Sequence, residues 1–111
     1  MPLGTGDPKT FTVARRETRI PMEVGVKLAG KIEQDEAETT FTENVSSRGA
    51  RVLSAQRWKI NEHLTIATLP GSFRAKARVA YCESVPGSGF AVGLEFMDAV
   101  GTWVVADCLA N

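Results

Sequence analysis

Three arginines crowd the segment ARRETRIP, residues 14–21, with Glu17 the sole acid among them. Arg15 and Arg19 are four apart, a spacing that shares a face about 13 Å long in extended chain and a much tighter one in a helical turn. Pro21 disfavours helix at Ile20, so the segment is expected to enter the first strand extended. A guanidinium offers paired donors that match a phosphate or the O6/N7 edge of guanine. The chemistry is that of an anion clamp. A second polar cluster lies in TENVSSRGARV, residues 42–52. Asn44 and Ser46 are two apart and share a face if the chain is extended. An amide and a hydroxyl each donate and accept, which suits the edge of a nucleobase. Gly49 ends the stretch where the backbone needs either positive φ or a close approach. Taken singly, each cluster also fits an ordinary structural role, solvated arginines in one case and a polar turn in the other.

These clusters need a scaffold, and the hydrophobic pattern predicts strands. Met22, Val24, Val26 and Leu28 alternate with Glu23, Gly25, Lys27 and Ala29, the period of a half-buried strand. Acidic residues 33–38 read as an exposed loop. Further strands are predicted over 39–45, 50–54 and 63–69, with Phe41 and Val45 facing the core and Thr42, Asn44 and Ser46 facing out. After the turn LPGS at 69–72 comes the clearest strand. Phe73, Ala75, Ala77, Val79 and Tyr81 take one face; Arg74, Lys76 and Arg78 take the other. VPGSG at 85–89 makes a turn, and Phe90, Val92, Leu94 and Phe96 form the inner face of a sixth strand. Val100, Trp103, Val104 and Cys108 then stripe a short helix capped by Asp98. The expected fold is all-β: a six-stranded antiparallel barrel with a short C-terminal α-helix covering an open end. Residues 1–11 read as a flexible tail and 12–111 as the single barrel domain.

Bulk composition narrows the function. The 13 basic and 13 acidic residues cancel, so no global field draws in nucleic acid or membrane. Anion binding must come from local clustering. Cys82 and Cys108 have no metal-ligand spacing and read as free thiols; no metal or cofactor is expected. There is no secretory leader pattern and no apolar run long enough for a bilayer, which points to a cytoplasmic protein without a membrane partner. His63 is the only histidine and has no neighbouring nucleophile in sequence, so no enzyme is expected.

The ordered pair of clusters resembles the PilZ domain family, whose motifs are RxxxR followed, after the first strand, by [D/N]xSxxG. RRETR (15–19) and NVSSRG (44–49) fit both motifs in order and spacing, and GFAVGLEF is similar to the family's closing strand. The resemblance covers roughly residues 12–109. It implies a six-stranded barrel that binds the bacterial second messenger cyclic di-GMP and relays its level to a downstream protein through a conformational change. It assigns Arg15 and Arg19 to phosphate and guanine, Asn44 and Ser46 to a guanine edge, and Gly49 to a close backbone approach. Arg16 and Arg48 lie beside these positions as candidates for additional contacts. Two rival readings share the pattern. One is a PilZ-like interaction module that binds no nucleotide. The other is a barrel for single-stranded nucleic acid, suggested by the stripe of Arg74, Lys76 and Arg78 and opposed by a lack of exposed aromatics, Tyr81 being assigned to the apolar face.

Overall fold

Residues 18–30 and 37–105 are described by the computed structural model of the chain. Their alternating segments form seven strands: β1 (Ile20–Pro21), β2 (Gly25–Gly30), β3 (Glu38–Ser46), β4 (Gly49–Ser54), β5 (His63–Thr68), β6 (Phe73–Val85) and β7 (Gly89–Gly101). All neighbours are antiparallel, in the order β1-β3-β2-β5-β6-β7-β4. A further pairing of β4 with β3 closes β2 to β7 into a six-stranded barrel. Closure gives the strands' backbone groups partners on both sides over most of the circumference. The tail 1–11, the arginines Arg15 and Arg16, most of the acidic loop (31–36) and Cys108 lie outside the described residues.

The core is the set of inward positions. Val26, Leu28, Val45, Val52, Ile66, Val79, Val92 and Leu94 are buried, with the alanines 75 and 77 filling narrower places. Side chains alternate strictly along a strand, so a departure from alternation requires an inserted residue. Three insertions occur. Glu43 is extra between the pairs Thr42↔Val52 and Asn44↔Arg51. Ala80 and Met97 are extra in the β6–β7 ladder. Each overturns an expectation. Upstream of Glu43, Thr42 turns inward and is fully buried, whereas Phe41 is 40% exposed. Upstream of Ala80, Val79 faces the core; beyond it, Tyr81 leaves the apolar face and Cys82 takes the inner position.

Burial of Thr42 has a local cause. β1 and β2 run along the same edge of β3, interrupted at residues 22–24. The Thr42 hydroxyl fills that interruption, accepting from the Val24 N–H (2.9 Å) and donating to the Met22 carbonyl (2.7 Å). A buried polar side chain is tolerated because both of its bonds satisfy backbone groups that the sheet leaves over.

Trp58 and a cluster of three aromatic rings pack in and against the core. Trp58 donates from Nε1 to Ser54 Oγ, and Glu38 accepts from Ser54 Oγ and the Ala55 N–H, so the last residue of the acidic stretch anchors the end of β4 rather than standing in solvent. Elsewhere Trp103 stacks against Phe73 and Phe96, with ring centroids 4.7 and 5.0 Å away. Trp103 was expected on a helix, and its packing role holds while the helix does not. Asp98 and Val100 belong to β7, opposite Lys76 and Arg74, and no helix occurs among the described residues. The stripe fails because Val100 and Val104 are exposed. A β-ladder partner already waits for residues 98–101 on β6, and pairing with it overrides the helical period.

Replacing Thr42 by valine keeps the shape and deletes both bridging bonds, at an expected cost of about 2 kcal/mol. Urea denaturation of the variant measures it; a loss below about 0.5 kcal/mol would show that the bridge adds nothing.

Candidate ligand site

Pairing of β1 with β3, Ile20↔Val45 and Pro21↔Asn44, delivers the end of the arginine segment to the polar corner. Arg19, next in the chain before Ile20, donates from Nη1 to Asn44 Oδ1 at 3.1 Å, across 25 residues of sequence. Both side chains are solvent-accessible. The two halves that the sequence separates therefore touch. Arg15 and Arg16 lie outside the described residues.

The registers arrange the outer surface beside this contact in two rows. One runs Asn44–Arg51–Gly93–Tyr81 across β3, β4, β7 and β6. The next runs Ser46–Gly49–Glu95–Arg78. At about 4.8 Å per strand, a row of four spans about 14 Å. Between them lies a cleft lined by Arg19, Arg48, Gly49, Tyr81, Gly93 and Glu95, among others. Its volume is about 180 Å³, below the ~300 Å³ at which small-molecule pockets begin. The cleft is shallow for a site that engulfs a ligand.

Individual residues differ from expectation in instructive ways. Asn44 is half-exposed, as its parity requires. Ser46 shares that parity but is completely buried. Its hydroxyl accepts from the Arg48 N–H (3.3 Å) and its carbonyl accepts from Trp103 Nε1 (2.7 Å). The hydroxyl bond spans the turn between β3 and β4. Gly49 has no positive φ. It is required by proximity instead: a Cβ there would stand 2.2 Å from the Leu94 carbonyl oxygen of β7. Arg48 lines the cleft without an ion-pair partner among the described residues.

Sequence reasoning missed two residues of this surface. Tyr81 emerges here because of the Ala80 insertion, and its ring lies across Gly93, where an added Cβ would sit 2.1 Å from the ring carbon Cε2. Arg51 donates from Nη1 to the Tyr81 hydroxyl (3.1 Å) and from Nε to Glu43 (2.8 Å), with Glu83 3.6 Å away. The bond to Glu43, then that to Tyr81, lifts Arg51 above its ordinary pKa against an opposing effect of burial, so it is a permanent cation. Arg78, by contrast, is engaged by Glu95 and by the Asn61 side-chain oxygen. Only the bulge could have revealed Tyr81, and VAYCES carries no mark of it. No group of three or more metal-ligating residues occurs among the described residues.

A model of the PilZ domain matches residues 14–102 of the chain. No curated protein matches it. Among solved structures, the inhibitor of motility MotI/DgrA of Bacillus subtilis is similar, with a TM-score of 0.66 and 19% sequence identity. That alignment covers 80% of this chain and 45% of the neighbour, so the chain spans less than half of the neighbour's length.

Gly49→Ala is expected to force β4 away from β7 and to cost at least about 2 kcal/mol, in the range of overpacking substitutions. Thermal unfolding checks it. Ala50→Gly, next in the strand, serves as the control for backbone entropy and is expected to cost about 1 kcal/mol plus its lost packing.

Proposed function

Because the chain belongs to the PilZ domain family, we propose that it is a cytoplasmic receptor that binds cyclic di-GMP and passes the signal to a protein partner. The observation that carries this reading is the Arg19–Asn44 hydrogen bond, which brings one residue of each motif together on an open face. In this reading Arg15 and Arg19 grip phosphate and a guanine edge, and Arg16 and Arg48 add charge. Asn44 reads the guanine edge through donor and acceptor. Gly49 keeps the backbone low enough for the ligand to approach. Ser46 fixes the turn that presents Arg48 and Gly49, and direct contact of its hydroxyl with the base requires its cover to move. Tyr81 offers a stacking plane at the far end of the row.

Magnitudes are consistent with this division of labour. Charge-assisted hydrogen bonds contribute about 1.5–3 kcal/mol each, and a stacked base adds about 1–3 kcal/mol. Micromolar affinity needs about 8 kcal/mol. Two arginines and one stacking contact approach that value before the cost of association is subtracted. A ligand bound beside Arg19 changes the surface a partner meets, which is one route of output. The bond from Trp103 to the Ser46 carbonyl offers a second route, since it ties the site's turn to the C-terminal segment.

Titration calorimetry with cyclic di-GMP tests the reading. Arg19→Ala is expected to weaken binding by at least about thirtyfold, the equivalent of one charge-assisted contact of about 2 kcal/mol, with unfolding unchanged. Ser46→Ala should weaken it less. Wild-type protein that gives no heat and no shift on addition of the dinucleotide would leave the interaction module without nucleotide as the surviving reading. Raising the salt from about 0.05 to 0.5 M should loosen the complex, because partly exposed guanidinium contacts are screened over a Debye length that shrinks severalfold. An affinity indifferent to salt would exclude an arginine clamp.

A further inference from the structure

We propose that Arg51, braced by Glu43, is a positioning residue that holds the Tyr81 ring across Gly93 as a preformed platform for one guanine of cyclic di-GMP. This rests on the reading above and adds residues that neither motif contains.

The geometry points to it in three steps. First, the Tyr81 ring has a floor. Gly93 supplies the floor by having no side chain, and any larger residue there would collide with the ring. An aromatic on a bare strand is free to change rotamer unless its far end is held. Second, Arg51 holds that end. It stands in the same row as Gly93 and Tyr81, its Cζ is 5.7 Å from the ring centroid, and its Nη1 donates to the phenol oxygen at 3.1 Å. Third, Arg51 is itself immobilised. Glu43, the inserted residue of β3, is re-aimed by the bulge and accepts from Arg51 Nε at 2.8 Å. Bulges recur where a side chain must leave the regular alternation. Here the same insertion sits between Thr42 and Asn44, so one backbone irregularity places Asn44 outward and supplies the brace for the ring. Arg51 Nε is engaged by Glu43 and Nη1 by the Tyr81 hydroxyl, with Glu83 3.6 Å from the same Nη1. The role assigned to Arg51 is thus to hold the ring, and its effect on a nucleotide is routed through that ring.

Tyr81 is the only tyrosine of the chain, so biosynthetic fluorotyrosine places a single fluorine reporter on this ring. In wild type, addition of cyclic di-GMP should shift the fluorine resonance. In Arg51→Met, the resonance of the free protein should move and sharpen toward that of a mobile ring, and calorimetry should show binding weaker by about tenfold, the scale of one partly lost stacking contact. Tyr81→Ala should weaken binding at least as much. The double variant should bind no worse than Tyr81→Ala alone, because Arg51 acts through the ring it positions. Arg51→Lys, which keeps the charge but cannot bridge both partners, should resemble Arg51→Met. If Arg51→Met costs the same in the Tyr81→Ala background as in wild type, Arg51 touches the ligand directly and the proposal is overturned. An unmoved fluorine signal in Arg51→Met, or unchanged affinity with wild type binding normally, also overturns it. Failure of wild type itself to bind cyclic di-GMP overturns the receptor reading instead, while the fluorine signal of the free variants still decides whether Arg51 holds the ring.

Discussion

A closed antiparallel barrel has almost no freedom to re-aim a side chain. Each residue's face follows from its place in the ladder, and the ladders are locked to one another around the ring. The extra residue at Glu43 is where this chain escapes that constraint. Without it, Phe41 and Val45 would share the core, and Thr42 would stand outside with Asn44. With it, Thr42 goes in to bridge the broken strand at Met22 and Val24, Asn44 stays out beneath Arg19, and Glu43 reaches Arg51. Most of the site's features can be traced to that one insertion and to the companion at Ala80 that turns Tyr81 outward.

The site is consequently built on rigid strands at three of its corners and on chain entering the barrel at the fourth. Asn44, Gly49 and Tyr81 are held by ladder pairing, by a backbone contact that tolerates no Cβ, and by a glycine floor. Arg19 is held by two residues of pairing, Ile20 and Pro21, and by its bond to Asn44. That pairing continues through the Met22 N–H bond to the Glu43 carbonyl and through the Thr42 bridge, so Arg19 leads into a segment tied to β3.

The C-terminal segment belongs to the same system. Trp103 packs against Phe73 and Phe96 and also bonds the Ser46 carbonyl, while the Phe96 N–H donates to the Arg48 carbonyl. The turn that carries Ser46, Arg48 and Gly49 therefore leans on β7 and on the chain that leaves it. The turn and the residues after β7 are thus joined by the Trp103 bond to the Ser46 carbonyl and by the aromatic packing of Trp103.

Periodicity in the sequence was enough to place the six barrel strands, because a two-residue repeat and punctuating turns are local properties. Motif spacing also identified Arg19, Asn44 and Gly49 as residues of one surface. What local pattern could not contain was the count of residues between ladder partners. Whether Glu43, Ala80 or Met97 is skipped depends on what faces it from another strand tens of residues away. That non-local choice buried Thr42, exposed Tyr81, recruited Arg51, and turned residues 98–101 from an amphipathic helix into ladder. Ser46 illustrates the same division: its place in the motif and its parity were legible, but its burial and the bond from Trp103, 57 residues away, to its carbonyl were not. The sequence alone determined which residues alternate and which chemistries they carry; the tertiary structure alone decided which side of the wall each one stands on, because register is a property of pairs of strands and not of either strand by itself.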